Sequence, residues 1–237
     1  MPDMASRTQS TANDLRDRIL RGKFPAGTHL QEIPLGEELR VSRTPVRAAL
    51  ATLASEGLLE YAPKRGYTVR GFSLAEIEAA HEIRANLEGM ACRLVAERGL
   101  APEAGAELAR ILAIGDAILA KGRLFEEDRE PWTEMNDLFH GRIIELANNR
   151  LLADLIDRTC KIPLASSRVI HWYDFEALKG SHHLHHRIYG YIRDRRAVNA
   201  EALMREHIIQ GADQIRHRMR TAALRRRLDR RVAGGSS

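Results

Sequence analysis

Three helix-like segments followed by two short strand-like runs fill residues 10–71, and this order limits the fold more than any other feature of the chain. In the first and third helix-like segments the apolar residues recur at spacings of three or four, as on one face of a helix, and the second contains the apolar residues Ile33, Leu35 and Leu39. The sequence APKRG separates the strand-like runs, which is typical of a β-hairpin. The helix-like segments span 10–22, 32–40 and 41–57, and the strand-like runs span 58–61 and 67–71. This order predicts a winged helix-turn-helix domain over residues 10–71, preceded by a disordered segment over residues 1–9.

The start of the third helix carries polar and basic side chains that suit DNA. Arg43 and Arg47 are one helical turn apart and therefore share a face. An arginine on such a face can bind guanine O6 and N7 through two hydrogen bonds. The hydroxyls of Ser42 and Thr44, together with the unpaired backbone N–H groups of the first turn, suit phosphate oxygens. We expect these residues to contact double-stranded DNA; the alternative is a capped helix with a solvated basic face.

The tip of the hairpin is basic as well. Lys64 and Arg65 precede Gly66, and a glycine lets the backbone come close to a partner. We therefore expect these three residues to contact a DNA groove or the flanking phosphates.

From residue 72 onward the sequence has helical patterns and no strand signal. Glycine, proline and asparagine breakers divide this part into helices with short connections, which indicates an antiparallel bundle. The predicted helices span 74–98, 102–121, 126–147, 149–172, 174–195 and 197–222. The predicted fold class is therefore mainly α, with an N-terminal winged helix-turn-helix followed by an all-α antiparallel six-helix bundle over residues 72–222.

Charge is distributed unevenly along the chain. Lys and Arg number 11 against 8 Asp and Glu in residues 1–70, 18 against 23 in residues 71–215, and 8 against 1 in residues 216–237, which gives net charges of +3, −5 and +7. Basic segments on an acidic body suggest a polyanionic partner for the N-terminal domain. The basic residues 223–237 are expected to form a flexible tail, for which a merely solvated end is the simplest interpretation.

Cysteine content and hydropathy suggest a cytoplasmic protein. Cys92 and Cys160 are too few for a disulfide framework. The first ten residues lack the apolar core of a signal peptide. No apolar run approaches the roughly 18 residues that a membrane-spanning helix needs. We therefore expect no membrane partner.

Four histidines lie within positions 182–186, in the fifth helix of the predicted bundle. At 100° per residue, the apolar stripe of this helix has His185 at its edge. His183 and His186 fall on the opposite side and are expected to face solvent, while His182 is intermediate. Periodicity therefore selects His185 as the one that faces inward.

Further metal-binding side chains border the apolar stripes of neighbouring helices. Asn136 and His140 are one turn apart in the third bundle helix, and His207 borders the stripe of the last helix. Three neutral imidazoles and a carbonyl oxygen can form a site for a first-row metal ion. For each residue the alternative is a hydrogen-bonded polar group at the edge of the core.

The segment LRDRILRGKFPAGTHLQEIPLGEELRVSRTPVRAALATLASEGLLEYAPKRGYTV resembles the DNA-binding domain of the GntR family. The matching residues are Gly27, Leu30, Glu32, Leu35, Leu39, Ser42, Arg43, Thr44, Pro45, Val46, Arg47, Ala49, Leu50, Leu53, Glu56, Gly57 and Gly66. The chain departs from the family at Gly36, where Ala is usual, and at Arg40, where Gly is usual. We expect Arg40 to strain the turn before the third helix or to add a phosphate contact.

The C-terminal part resembles the FCD domain of the FadR subfamily, in its six-helix, VanR-like form. That family has an Asp four residues before a His, and then two histidines 22 residues apart. Asn136 and His140 have the first spacing, and His185 and His207 have the second. The resemblance implies a divalent metal ion, zinc or nickel, at these four residues, beside a pocket for small carboxylates. Asn136 replaces the family Asp, and its neutral amide oxygen is a weaker ligand for a divalent cation.

Three more residues are candidates for effector contact. Arg84 lies in the first bundle helix, and a buried arginine needs a carboxylate from a ligand or from the protein, for which Glu88 is the nearest candidate in sequence. Ser167 and Arg168 could also line the pocket.

These features predict a homodimeric transcriptional regulator, a repressor, that binds an inverted-repeat operator and responds to a small organic acid. The alternative is a regulator for which the divalent metal itself is the signal. No HExxH sequence or paired carboxylate base accompanies the histidines, and an enzyme would leave the basic N-terminal domain unexplained. The sequence therefore does not indicate an enzyme.

Overall fold

The computed structural model of the 237-residue chain describes residues 4–20, 22–162, 174–213 and 216, which form an N-terminal head and a helical body. In the head, the helices are α1 (Met4–Leu20), α2 (Glu32–Leu39) and α3 (Arg43–Ser55), and the strands are β1 (His29–Leu30), β2 (Leu59–Ala62) and β3 (Gly66–Val69). In the body, the helices are α4 (Leu74–Arg98), α5 (Pro102–Leu119), α6 (Arg129–Leu146), α7 (Arg150–Cys160), α8 (Phe175–Arg193) and α9 (197–213). A short 3-10 turn, Glu126–Asp128, precedes α6.

The head is a winged helix-turn-helix, as predicted. Helix α1 packs on α3, and the strands form an antiparallel sheet in the order β1-β3-β2. The fully buried core contains Leu15, Val46, Leu50, Leu53 and Leu58. Leu15 comes from α1, the residues from Val46 to Leu53 come from α3, and Leu58 precedes β2. Helix α2 adds the buried Leu35.

Helix α1 begins at Met4, earlier than predicted. The prediction of a disordered segment is therefore wrong for residues 4–9, while residues 1–3 lie outside the described part. The Thr11 hydroxyl donates a hydrogen bond to the Arg7 carbonyl at 2.8 Å, inside the helix. Thr11 is therefore not the N-cap that a helix starting near residue 10 would need.

The turn between α2 and α3 has the strained conformation that the sequence predicted at Arg40. Arg40 adopts a left-handed conformation, with φ 54° and ψ 41°. Most side chains avoid this region, and glycine does not. A Cβ at Gly36 would lie 2.9 Å from the Val41 carbonyl oxygen. The tightness of this turn therefore excludes the Ala that is usual in the family at position 36.

In its described residues the body is a bundle of six helices arranged around α4, which contacts α6, α7 and α8, while α5 contacts α6 and α8. Five predicted helix starts agree with the structure within one residue, and the 3-10 turn accounts for the start of α6 three residues later than predicted. Helix α7 ends at Cys160, whereas the predicted helix continued to residue 172. Residues 163–173, 214–215 and 217–237 lie outside the described part, and so does the predicted basic tail.

Helices α5 and α8 are packed closely at Gly115. The imidazole of His182 lies directly over this glycine, because a Cβ there would come within 2.3 Å of His182 Cε1. His182 is buried, and its ring is 5.5 Å from that of Trp132 between centroids. The absence of a side chain at position 115 therefore makes room for the histidine.

This packing makes a prediction about two glycines. We expect Gly115→Ala to lower the free energy of unfolding by about 1–3 kcal/mol, because the added methyl overpacks the space that His182 fills. Gly180→Ala is the matched control, since a Cβ at this exposed position of α8 meets no atom within 4 Å. It should raise stability by about 0.5–1 kcal/mol through helix propensity. Chemical denaturation measures both changes, and equal effects of the two substitutions would contradict the close packing.

Candidate DNA-binding surface and histidine centre

The predicted DNA-contacting residues at the start of α3 lie together on the surface. Ser42 occupies the N-cap position, and its side chain makes no capping hydrogen bond. Ser42, Arg43, Thr44 and Arg47 are all exposed. Their hydroxyls and guanidinium groups are therefore accessible on one end of one helix, where the backbone N–H groups of the first turn also point outward.

Glu32 of α2 holds the two arginines. Arg47 donates hydrogen bonds to both carboxylate oxygens of Glu32, at 2.8 and 2.9 Å, and Arg43 Nη2 is 3.5 Å from Oε2. The hydrogen bond from Arg47 is the main reason that the pKa of Glu32 is lowered. The sequence did not reveal this pairing, because it joins different helices. To bind Arg47 through two hydrogen bonds, a guanine base would have to displace the Glu32 carboxylate, which already accepts two hydrogen bonds from the same guanidinium group.

The wing tip has a tight turn with basic side chains. The Arg65 N–H donates to the Ala62 carbonyl at 3.0 Å, which closes a four-residue turn. Lys64 is the third residue of this turn and has a φ of 67°, and Gly66 has a φ of 78°. Lys64 and Arg65 are exposed, so the turn presents two cations to solvent.

Three imidazoles meet inside the body, one each from α6, α8 and α9. Nε2 of His207 is 3.0 Å from Nε2 of His185 and 3.3 Å from Nε2 of His140. His140 and His185 are buried, and His207 is partly buried. We call these residues the histidine triad. The structure thus brings together the three histidines that the sequence selected from three different helices.

Glu88 of α4 fixes the orientation of one of these imidazoles. Its Oε2 is 2.6 Å from His140 Nδ1, and its Oε1 accepts a hydrogen bond from Arg84 Nε at 2.5 Å. A proton on Nδ1 shared with a carboxylate leaves Nε2 as a lone-pair donor directed toward the other two histidines. The tautomer of His140 is assigned from this contact.

The environment keeps these groups in the protonation states that a metal site requires. Burial alone raises the pKa of Glu88, but the Arg84 charge and the hydrogen bonds from His140 and Arg84 lower it to about 2. Burial lowers the pKa of His207 to about 3, because protein surrounds the imidazole although part of the residue is exposed. Burial and the neighbouring imidazoles lower the pKa of His185. The carboxylate is thus ionised and the two imidazoles are neutral at neutral pH.

The triad fits a divalent metal ion. Nitrogen ligands at about 2.0–2.1 Å around a tetrahedral ion lie roughly 3.3 Å apart. The Nε2 atom of His207 lies at similar distances, 3.0 and 3.3 Å, from the Nε2 atoms of His185 and His140. Asn136 is buried one turn before His140 on α6, so its amide remains a predicted fourth ligand. Within the described residues, Nδ1 of His185 is buried without a hydrogen-bond partner. Unlike His140, His185 therefore lacks a protein acceptor that would fix its tautomer.

A cavity of about 680 Å³ opens beside His140, between the head and the body. Its described lining comes from α1 and the end of α3 in the head, and from α4, α6 and α7 in the body. The polar and charged residues on it are Gln9, Asn13, Arg16, Asp17, Glu56, Glu88, Asp137, His140, Asp157 and Lys161. The cavity therefore separates His140 of the triad from the end of α3 in the head.

The chain matches models of two protein families. Residues 7–69 match the model for bacterial regulatory proteins of the gntR family, and residues 79–210 match the model for the FCD domain. The chain belongs to the GntR family of transcriptional regulators. Both assignments agree with the resemblances seen in the sequence.

This GntR-family regulator is similar to the Nta operon transcriptional regulator of Aminobacter aminovorans, with 29% identity over 192 residues that cover 81% of this chain and 86% of that one. It is 26% identical to the transcriptional repressor GlaR of Escherichia coli (strain K12) over 203 residues, which cover 82% and 89% of the two chains. The solved structure of E. coli McbR/YncC has a TM-score of 0.76 at 24% identity and covers 92% of this chain and 100% of that one, which supports the fold. These relatives are regulators, in agreement with the prediction that the chain is not an enzyme.

The other candidate residues of the regulator have mixed outcomes. His183 is exposed, as predicted, but His182 is buried rather than intermediate, and His186 is exposed yet bonded to Asp116. Arg84 is paired with Glu88, the alternative that the sequence left open. Ser167 and Arg168 lie outside the described residues. Among the helices described, none is long and apolar enough to cross a lipid bilayer.

The lowered pKa values predict acid sensitivity of the metal-free regulator. Because the pKa of His207 falls from 6.5 to about 3 on folding, the unfolded chain binds a proton there at a pH where the folded chain does not. The contribution of the neutral His207 to the stability of the fold is thus fully present above pH 6.5 and is lost as the pH falls toward 3. The melting temperature in EDTA should fall between pH 7 and pH 5, and it should fall less steeply in His207→Gln. The exposed control His183→Gln should keep the wild-type slope; identical slopes in all three proteins would contradict the assignment.

Proposed function

We propose that this protein is a repressor that binds an inverted-repeat operator as a homodimer and is released or retained by a small carboxylate bound beside a metal ion. The DNA contacts would come from the start of α3 and from the wing tip, through Ser42, Arg43, Thr44, Arg47, Lys64, Arg65 and Gly66. All of these residues except the partly buried Gly66 are exposed, at one end of α3 and at one turn, which supports the proposal. In a two-fold dimer, two such helices would read half-sites about one DNA turn apart.

The cavity between head and body is the observation that carries the regulatory part of the proposal. Arg16 of α1 binds Glu56 at the end of α3 through two hydrogen bonds, at 2.8 and 2.9 Å. Lys161 of the body lies 3.8 Å from Glu56 and 2.7 Å from Asp157. A ligand in this cavity would contact the ion-pair chain that joins the two parts. If it favours one arrangement of head and body, it changes DNA affinity.

A metal ion would give the cavity its affinity for an anion. Among the described residues that line it, carboxylates outnumber Arg16 and Lys161, so the protein alone offers little attraction for a carboxylate. A zinc or nickel ion held by the triad would supply positive charge. With Asn136 as a fourth ligand, a coordination number of five or six would leave a position for the carboxylate. Arg84, Ser167 and Arg168 remain the proposed effector contacts. Arg84 lies one ion pair away from His140, through Glu88.

The homodimer is supported by apolar side chains on the outer face of α7. Leu151 is 69% exposed and Leu155 is 41% exposed, and they are one helical turn apart. The opposite face of this helix buries Leu152 and Ile156 in the core. Adjacent exposed leucines are typical of a surface that another chain covers. A cytoplasmic location is part of the same proposal, because the operator is there.

DNA recognition by Arg47 can be tested directly. Arg47→Ala should weaken operator binding by about tenfold to a hundredfold, because one bidentate base contact is lost, and should change the melting temperature little. Arg129→Ala is the matched control, since Arg129 is an equally exposed arginine that pairs with a single glutamate on the body. Fluorescence anisotropy with DNA from upstream of the coding sequence measures both. Equal operator affinities of the two variants would contradict the assignment of α3 as the recognition helix.

The role of the metal ion can be separated from that of the effector. In zinc-loaded wild-type protein, a matching carboxylate should change operator affinity at least about fivefold. The same acid should have no effect after EDTA treatment or in His207→Gln, because the anchoring cation is lost. If zinc alone changes operator affinity and no acid adds to the change, the metal ion is the signal. The neutral ligand Asn136 favours this alternative, because it would weaken the metal site. An undiminished acid response without metal would contradict both versions.

A further inference from the structure

A second group of metal-binding side chains lies between α5 and α8, apart from the triad. It consists of Asp116, His182 and His186, whose ligand atoms all lie within 4.8 Å of one another. We propose that these three residues bind a second first-row divalent metal ion at the surface of the body. We call them the α5–α8 site. The proposal rests on this geometry and does not depend on the function proposed for the triad.

The ligand atoms converge on one point. Nε2 of His182 is 3.0 Å from Asp116 Oδ1, and Nε2 of His186 is 2.9 Å from the same oxygen. The two histidines are four residues apart on α8, the spacing that places two imidazoles on one zinc ion in helical metal-binding sequences. Ligands of a tetrahedral ion lie roughly 3.3 Å apart, so an outward shift of a few tenths of an ångström would admit the metal.

The surrounding packing holds the site in place before any metal arrives. His182 is only 2% exposed, with its ring over Gly115 and beside Trp132. Asp116 follows Gly115 directly on α5, so the close approach of the two helices also brings the carboxylate to the imidazole. A ligand that is already fixed loses little side-chain entropy on binding. This distinguishes the α5–α8 site from a chance group of mobile surface residues.

Hydrogen bonds alone satisfy these residues incompletely. Both imidazoles direct Nε2 at the same carboxylate oxygen, so each would have to carry its proton there. Among the described residues, Nδ1 of the buried His182 has no hydrogen-bond partner. A proton on Nδ1 would leave the Nε2 lone pair directed at a carboxylate lone pair. A cation between these two atoms removes that repulsion.

The donor set indicates the class of metal. Two neutral imidazoles and one carboxylate suit zinc, nickel, cobalt or copper better than magnesium or calcium, which prefer oxygen ligands alone. His186 and Asp116 are 42% and 53% exposed in their side chains, so water can complete the coordination. An ion there would link α5 to α8, the helix that also carries His185.

The experiment is a titration of metal-free, full-length protein with zinc, followed by calorimetry and by metal analysis after gel filtration. Wild-type protein should bind two zinc ions per chain. Asp116→Asn and His186→Gln should each weaken one of them by more than about tenfold, because loss of a direct ligand costs at least as much as loss of an outer-shell partner. Both positions are exposed, so the variants should keep the wild-type melting temperature in EDTA.

The controls separate this site from the triad. His183→Gln changes the neighbouring, solvent-exposed histidine of α8 and should keep both zinc ions. His207→Gln should lose only the triad ion. If the triad binds no metal, wild-type protein will take up one zinc ion and His186→Gln none. The proposal is overturned if zinc uptake is the same in wild type, Asp116→Asn and His186→Gln, or if His183→Gln loses as much zinc as His186→Gln.

Discussion

The buried carboxylate of Glu88 is the interaction on which the interior of the body depends. It is 2% exposed and lies between Arg84 on its own helix and His140 on α6. Loss of one partner of a buried ion pair typically costs about 3–5 kcal/mol, because a charge is then left uncompensated. Glu88 therefore joins α4 to α6, balances the charge of the buried Arg84, and selects the tautomer in which His140 can donate a lone pair.

That same carboxylate lines the cavity that reaches the head. Glu56, the C-cap residue of α3, lines the same cavity from the head. It accepts hydrogen bonds from Arg16 and lies 3.8 Å from Lys161. Since α3 is the helix that presents Arg43 and Arg47, a change in the position of Glu56 is a change at the end of the helix proposed to bind DNA. The carboxylates of two ion pairs thus line a single cavity, Glu88 from the body beside His140 and Glu56 from the head at the C-terminal end of α3.

The sequence predicted the elements well because each one carries its own periodic apolar stripe. Helix α4 matches its predicted bounds, and His185 was selected because it borders the stripe that Ile188 occupies. The sequence could not reveal contacts between helices. Glu88 was considered only as a partner of Arg84, since nothing in the spacing of residues indicates that α6 brings His140 opposite it. Glu32 was missed as a partner of Arg47 for the same reason.

The errors in the histidine cluster have a similar origin. A helical wheel places each residue by its angle around the helix axis, relative to a single apolar stripe. His182 lies well away from the stripe of α8 that packs on α4. Helix α8 packs on α5 as well. Gly115 of α5 has no side chain and leaves room for His182, so α8 has a second buried face there. His182 is therefore buried for a reason that is encoded in α5 and not in α8.

The four histidines of positions 182–186 consequently face three different environments. His185 contacts His207 within the triad, His182 and His186 contact Asp116, and His183 faces solvent. One helix therefore carries residues of both histidine groups. Helix α8 is constrained at two points: the His182 ring lies over Gly115 of α5, and the His185 ring lies 5.3 Å from that of His140 on α6 between centroids. Between these two contacts, His185 meets His207 of α9 at 3.0 Å between Nε2 atoms.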